Sequence, residues 1–197
     1  MRILKINPKK INKEEIRVVV DFLKAGKVVI LPTDTVYGLV CDASKRAVID
    51  RLFKIKKRPK AKPIPVFVKD SKKAKEIAEI KKDEEVFLKS VWPGKVTAIL
   101  KRNKGYAVYG VEKDRIALRI PKYKLVDEVF KKINIPLAGT SANIADLKTV
   151  RNLKDIKEQF GKEKHQPDLV VYAGVLRAKK PSTIIDLTLS PPKVLRK

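Results

Sequence analysis

Short β-branched runs alternate with helix-patterned stretches along this whole chain, and neither kind of segment repeats. That interleaving, without a low-complexity linker, predicts one α/β domain with a mixed sheet. Asn12-Lys13-Glu14-Glu15 before IRVVVDFLKAG reads as a capping box, a helix and a glycine stop at Gly26. Residues 27–31 (KVVIL) then predict a short buried strand, followed by a loop over 32–42 and a helix over 45–57. Pro59 and Pro63 break the chain before a strand at 64–68, and 71–92 predicts two short helices ended by Pro93-Gly94. Alternation predicts strands at 96–101 and 115–120. Helices are expected at 125–133 and 153–160, a strand end at 136–139, and late strands at 168–172, 182–187 and 193–195.

The 197 residues suit one domain, or at most one and a half. A 44% hydrophobic content supplies a core and excludes a disordered tail. Charged residues reach 35%, and 47 Lys+Arg against 22 Asp+Glu give +25. Such a charge suits nucleic acid, an anionic membrane face or phosphorylated substrates. The lysines are scattered, as in Lys9-Lys10, Lys56-Lys57, Lys72-Lys73, Lys81-Lys82, Lys131-Lys132 and Lys179-Lys180. A background composition and a polyanion-binding surface both fit that scatter. The single cysteine, Cys41, excludes a disulfide scaffold and reads as a buried structural thiol. No apolar run reaches the roughly 18 residues of a membrane span, and MRILKINPKK lacks a signal-peptide core. A soluble, cytoplasmic protein without membrane contact is expected.

Three segments carry chemistry. The first is Leu31-Pro-Thr-Asp-Thr-Val-Tyr-Gly-Leu39, where hydroxyls and a carboxylate leave the end of a buried strand, the usual place for an α/β ligand site, although a Thr/Asp-rich turn taken alone is more often structural. The second, Lys56-Lys57-Arg58-Pro59-Lys60-Ala61-Lys62-Pro63, clusters cations in a proline-stiffened loop. A polyphosphate site and a basic helix end complementing the helix dipole both remain open there. The third is Leu137-Ala-Gly-Thr-Ser-Ala-Asn143, whose small residues admit close approach and whose Ser and Asn can bond phosphate or ribose. Neither a Walker pattern nor a G-x-G-x-x-G turn is present. The only histidine, His165, lies in a polar stretch, which removes a Ser-His-Asp triad and a histidine-based zinc site. With no metal set among the side chains, an enzyme built from this chain acts mainly by holding charged substrates together. Trp92 before Pro93-Gly94 reads as a core or cap aromatic.

LPTDTVYGL, KKRPKAKP, VWPGKVTAIL, IALRIP, PLAGTSAN, PSTIIDLT and a final VLR follow one another in the order of a known family. The chain resembles the YrdC-like family of threonylcarbamoyl-adenylate synthases over about 31–196. The resemblance implies an open, twisted, mixed sheet with flanking helices around a large basic cavity, in one domain over 1–197 with no second domain. It implies that L-threonine and bicarbonate (or CO2) give N-carbamoyl-threonine, which ATP activates to threonylcarbamoyl-AMP and pyrophosphate. A separate transferase complex then acts on tRNA.

By the same resemblance, Thr35, Arg119, Gly139 and Ser182 bind L-threonine. Lys56 and Arg58 form the Lys-x-Arg motif and act on the phosphates. Lys62, Arg115, Ser141, Asn143, Thr149 and Arg196 complete the ATP site, with Mg²⁺ carried by ATP. Many family members have histidine where this chain has Phe67, and Ser-Gly where it has Ala145-Asp146. An RNA-binding protein of the same fold, without synthase activity, is the alternative. A carbamoyl-adenylate module of the hydrogenase-maturation type is the third reading, although such modules sit in longer chains.

Overall fold

The computed structural model describes residues 1–176 and 180–197. Lys179, half of one lysine pair named above, lies outside the described residues. In chain order the elements begin β1 (Arg2–Lys5), α1 (Lys13–Lys24), β2 (Val29–Leu31), β3 (Gly38–Asp42) and α2 (Arg46–Lys56). They continue β4 (Val66–Phe67), α3 (Ser71–Ile77), β5 (Ala78–Glu79), α4 (Lys82–Val91), β6 (Val96–Arg102) and β7 (Arg115–Arg119). Last come α5 (Lys124–Phe130), β8 (Leu137–Ser141), α6 (Leu153–Phe160), β9 (Leu169–Tyr172), β10 (Thr183–Asp186) and β11 (Lys193–Arg196).

The strands form one mixed sheet in the order β1-β9-β2-β3-β8-β4-β7-β6-β10-β11, with β5 beside β6. β1–β9, β2–β9, β4–β7 and β6–β10 pair parallel; β2–β3, β3–β8, β4–β8 and β6–β7 run antiparallel. The α/β class and open mixed sheet expected from the sequence are thus observed.

One expectation is corrected, and two strands are added to those expected. Residues 38–42 are a fully buried strand rather than the second half of a loop. β1 and the two-residue β5 were not foreseen, because each is short and owes its extended shape to a partner, β9 and β6 respectively.

Period-2 alternation divides the core between the two sheet faces. Ile30, Leu39, Cys41, Val66, Leu100, Ile116 and Leu118 point to one face, where α2 and α6 pack through Leu52, Phe53, Ile156 and Phe160. Val29, Leu31, Val40, Phe67, Leu137 and Leu169 point to the other. There α1 contributes Ile16, Val19, Val20 and Leu23, and α5 contributes Leu125, Val126, Val129 and Phe130. The capping box of α1 is present, with Asn12 and Glu15 each accepting the other's backbone N–H at 2.8 Å. On this second face the helical cover lies over the β9-β2-β3 half. Over β8, β4, β7, β6 and β10 the same alternation turns Gly139, Phe67, Ala117, Arg119, Thr97, Ile99 and Ile184 into a cavity. The site occupies the part of the sheet where the helical layer runs out.

Candidate active site

The cavity measures about 410 Å³, and its walls come from segments far apart in the chain. Of the residues the sequence nominated, Thr35, Arg58, Lys62, Arg119, Gly139, Ser141, Ser182 and Arg196 line it together. Lys56, Asn143, Arg115 and Thr149 do not line it.

The loop between β2 and β3 shapes one wall. Thr33 Oγ1 donates to the Val36 carbonyl at 2.7 Å and accepts the Thr35 N–H at 3.1 Å, closing a hydroxyl turn. The two threonine hydroxyls lie 3.0 Å apart. Tyr37 anchors the loop: its hydroxyl donates to the Gly174 carbonyl at 2.6 Å and accepts the Ala173 N–H at 3.0 Å. Burial raises the Tyr37 hydroxyl pKa, so it stays a neutral hydrogen-bonding group.

Arg119, at the end of β7, is buried and faces the cavity. It donates from Nη2 to Asp34 Oδ1 at 2.6 Å, from Nη1 to Thr35 Oγ1 at 3.0 Å, and from Nε to the Gly94 carbonyl at 3.0 Å. Its guanidinium carbon stands 5.8 Å from the centre of the Phe67 ring. Burial lowers its pKa and Asp34 partly restores it, so the group remains a cation.

Arg58 lies past the end of α2, where Lys57 takes φ +49° and turns the chain out of the helix. Its guanidinium is folded onto its own loop, donating from Nε to the Lys62 carbonyl at 3.0 Å and from Nη2 to the Pro63 carbonyl at 3.1 Å. Arg196 of β11 reaches back and donates to the Ser182 carbonyl at 2.9 Å from Nε and 2.8 Å from Nη2. The Ser182 hydroxyl lies 2.8 Å from Thr97 Oγ1. Desolvation first, then the charges of Arg119 and Arg58, lower the Arg196 pKa. Arg196 thus carries the like-charge cost of the other two guanidiniums, which an anion in the cavity relieves.

The nominated residues outside the wall have identifiable places. Lys56 is 2% exposed and stands behind it, donating to the Ser141 carbonyl at 2.7 Å and to Asn143 Oδ1 at 2.9 Å. Burial and the nearby Arg58 charge pull its pKa down to about 7. Asn143 accepts the Ser141 hydroxyl at 2.7 Å and donates to the Ile144 and Leu147 carbonyls. These bonds give the Ser-Ala-Asn turn its shape, and Asp146 within the following turn adopts φ +65°. That is the left-handed region, which aspartate tolerates better than most residues. Arg115 is held by Glu112 at 2.7 Å and Asp186 at 3.1 Å, beside the cavity. Thr149 lines a separate hollow of about 250 Å³ that shares only Val36 with the main cavity.

Thr33, Thr97, Glu112 and Ile184 also line the cavity and were not nominated. Alternation along VTAIL placed Thr97 opposite the core-facing Ala98, a signal that becomes usable once the buried face is known. Cys41 is buried, His165 is exposed, and Trp92 is a core residue whose indole donates to the Val96 carbonyl at 2.8 Å. Among the described residues, no helix is long and apolar enough to cross a membrane.

Fold and site together define an α/β protein with an arginine-lined cavity on the uncovered half of a mixed sheet. The chain belongs to the Sua5/YciO/YrdC family, described as telomere recombination, which it matches over residues 21–197. It is 30% identical over 190 residues to the threonylcarbamoyl-AMP synthase of Pyrococcus abyssi, covering 95% of this chain and 55% of that protein. A putative threonylcarbamoyl-AMP synthase of Methanocaldococcus jannaschii is 32% identical, over 90% of this chain and 84% of that one. The crystal structure of P. abyssi Sua5 complexed with L-threonine superposes with a TM-score of 0.90 at 29% identity, over 100% of this chain and 57% of that one. This chain therefore spans little more than half the length of the P. abyssi protein.

Proposed function

We propose that this chain is an L-threonylcarbamoyladenylate synthase, a nucleotidyltransferase that makes threonylcarbamoyl-AMP and pyrophosphate from ATP, L-threonine and bicarbonate. The observation that carries this reading is the meeting of Arg58, Arg119 and Arg196 with the hydroxyls of Thr35, Ser141 and Ser182 around one cavity. A substrate pair with one carboxylate and one polyphosphate matches that distribution of cations and hydroxyls. The synthase names of the relatives and the L-threonine complex of P. abyssi Sua5 support it.

In this reading the threonine amine attacks the carbon of bicarbonate with loss of water, or of CO2 with release of the amine proton to solvent. A carbamate oxygen then attacks the α-phosphorus of ATP, the α–β P–O bond breaks and pyrophosphate leaves. Arg119 and Thr35 hold the threonine carboxylate and hydroxyl, with Ser182 and the bare backbone of Gly139 beside them. Arg58, Lys62, Ser141 and Arg196 hold the nucleotide and steady the departing pyrophosphate. Lys56 and Asn143 act from behind, by shaping the turn that presents Ser141. Mg²⁺ suits this site as part of the ATP complex: the carboxylate on the cavity wall, Glu112, is already paired with Arg115. When bound, the ion neutralises phosphate charge. The product passes in the cytoplasm to a transferase complex that modifies tRNA.

The decisive assay is pyrophosphate release with each substrate omitted in turn. Release that requires ATP, L-threonine and bicarbonate together supports the synthase. The charge of +25 favours a second reading, RNA binding without chemistry. Steeply salt-dependent RNA binding with no threonine-dependent pyrophosphate supports that second reading instead.

A further inference from the structure

Asp34 does not line the cavity, yet it is tied to the arginine that does. Its side chain is about nine-tenths buried, and Oδ1 accepts from Arg119 Nη2 at 2.6 Å. Its other oxygen, Oδ2, is buried and has no hydrogen-bond partner among the described residues. A buried arginine–carboxylate pair gains most from two parallel N–H···O bonds. Here the guanidinium is turned away from that arrangement: Nη1 goes to Thr35 and Nε to the Gly94 carbonyl. Each of its three nitrogens is therefore held by a different acceptor, and one carboxylate oxygen is left without a donor. Three of the five N–H groups are used, so two remain on a residue that faces the cavity.

We infer that Asp34 is a positioning residue, a buried carboxylate that fixes the rotation of Arg119 so that its two remaining N–H groups meet the carboxylate of an amino-acid substrate. The inference rests on the amino-acid subsite proposed above. Asp34 touches no substrate in this arrangement. It works through Arg119, with Thr35 and Gly94 completing the clamp. The unpartnered Oδ2 follows from the orientation, because a fully two-pronged pair would point the fork at Asp34 and away from the cavity.

The test compares wild type with Asp34→Asn and Asp34→Glu. Asp34→Asn keeps the size and removes the charge. It is expected to raise KM for L-threonine about tenfold to a hundredfold, the loss of a charged hydrogen bond, with KM for ATP within about twofold. Asp34→Glu is expected to restore part of the loss. An unchanged KM for L-threonine, or an equal rise in both KM values, overturns the inference. The Arg119 Nε–H resonance in nitrogen-15 spectra, assigned by its loss in Arg119→Lys, gives a readout independent of catalysis. Exchange of that proton at least about tenfold faster in Asp34→Asn, with the rest of the spectrum retained, supports positioning. Unchanged exchange contradicts it. Faster exchange in a protein whose wild type shows no threonine-dependent turnover upholds the clamp while refuting the amino-acid subsite.

Discussion

Lys56 is bonded to Asn143 twice, through the asparagine side-chain oxygen at 2.9 Å and through its backbone oxygen at 3.2 Å. The amine of the Lys-x-Arg lysine thus spends its donors on the protein, behind the cavity that Arg58 lines two residues later. Lys56→Met keeps most of the stem and deletes the donor, leaving the Ser141 and Asn143 oxygens without it. The expected loss is about 2–3 kcal/mol of unfolding free energy, measured by urea denaturation at neutral pH.

The same lysine sets a pH dependence. Its pKa falls from the ordinary 10.5 to about 7 in the folded chain, with burial the larger cause. Between those values the unfolded chain binds the extra proton, so stability rises with pH from about 7 to about 10.5. The Lys56 contribution to the slope is at most about 1.4 kcal/mol per pH unit. Urea titrations across this window are expected to show that rise in wild type and its absence in Lys56→Met.

Gly139 and Phe67 form a fitted pair in the cavity floor. A Cβ on Gly139 would stand 2.5 Å from the Phe67 ring, inside any van der Waals contact. Gly139→Ala is therefore expected to cost about 1–3 kcal/mol, and Phe67→Leu in the same chain to recover part of it. Thermal unfolding of the two single variants and the double variant measures the coupling. A purely additive result contradicts this contact.

Cys41 lies wholly inside the core, and burial, followed by the Asp42 charge, raises its thiol pKa. Alkylation of native protein at neutral pH is expected to proceed only through unfolding, and to become rapid in denaturant. Labelling is read by intact mass.

Elements whose ends carry their own chemistry were legible from sequence. Helix α6 runs over Leu153–Phe160 as expected, with Asn152 accepting the Asp155 N–H at its start and Gly161 following its end. Strand β3 was missed because the Thr and Asp before it and the Gly at its first position looked like a continuing loop, whereas its extended shape comes from β2 and β8 on either side. The arginines that face the cavity were nominated, and so was Lys56, whose amine the fold turns to Ser141 and Asn143 behind the wall. Helical spacing carried the signal for that placement: Ile49, Leu52, Phe53 and Lys56 share the buried face of α2. Arg115 was nominated by the family resemblance; its pairing with Glu112, three residues before it, is local, whereas its pairing with Asp186 depends on strands that only the fold brings together.

In the proposed synthase, Arg58, Arg119 and Arg196 gather ATP and a threonine-derived carbamate in one cavity. Mass spectrometry of the protein incubated with ATP, L-threonine and bicarbonate tests it most directly, with Arg58→Ala as control. Threonylcarbamoyl-AMP is expected in the wild-type reaction, dependent on all three substrates, and none with Arg58→Ala. Wild-type protein that yields no adenylate, or an Arg58→Ala variant that yields as much, would contradict it.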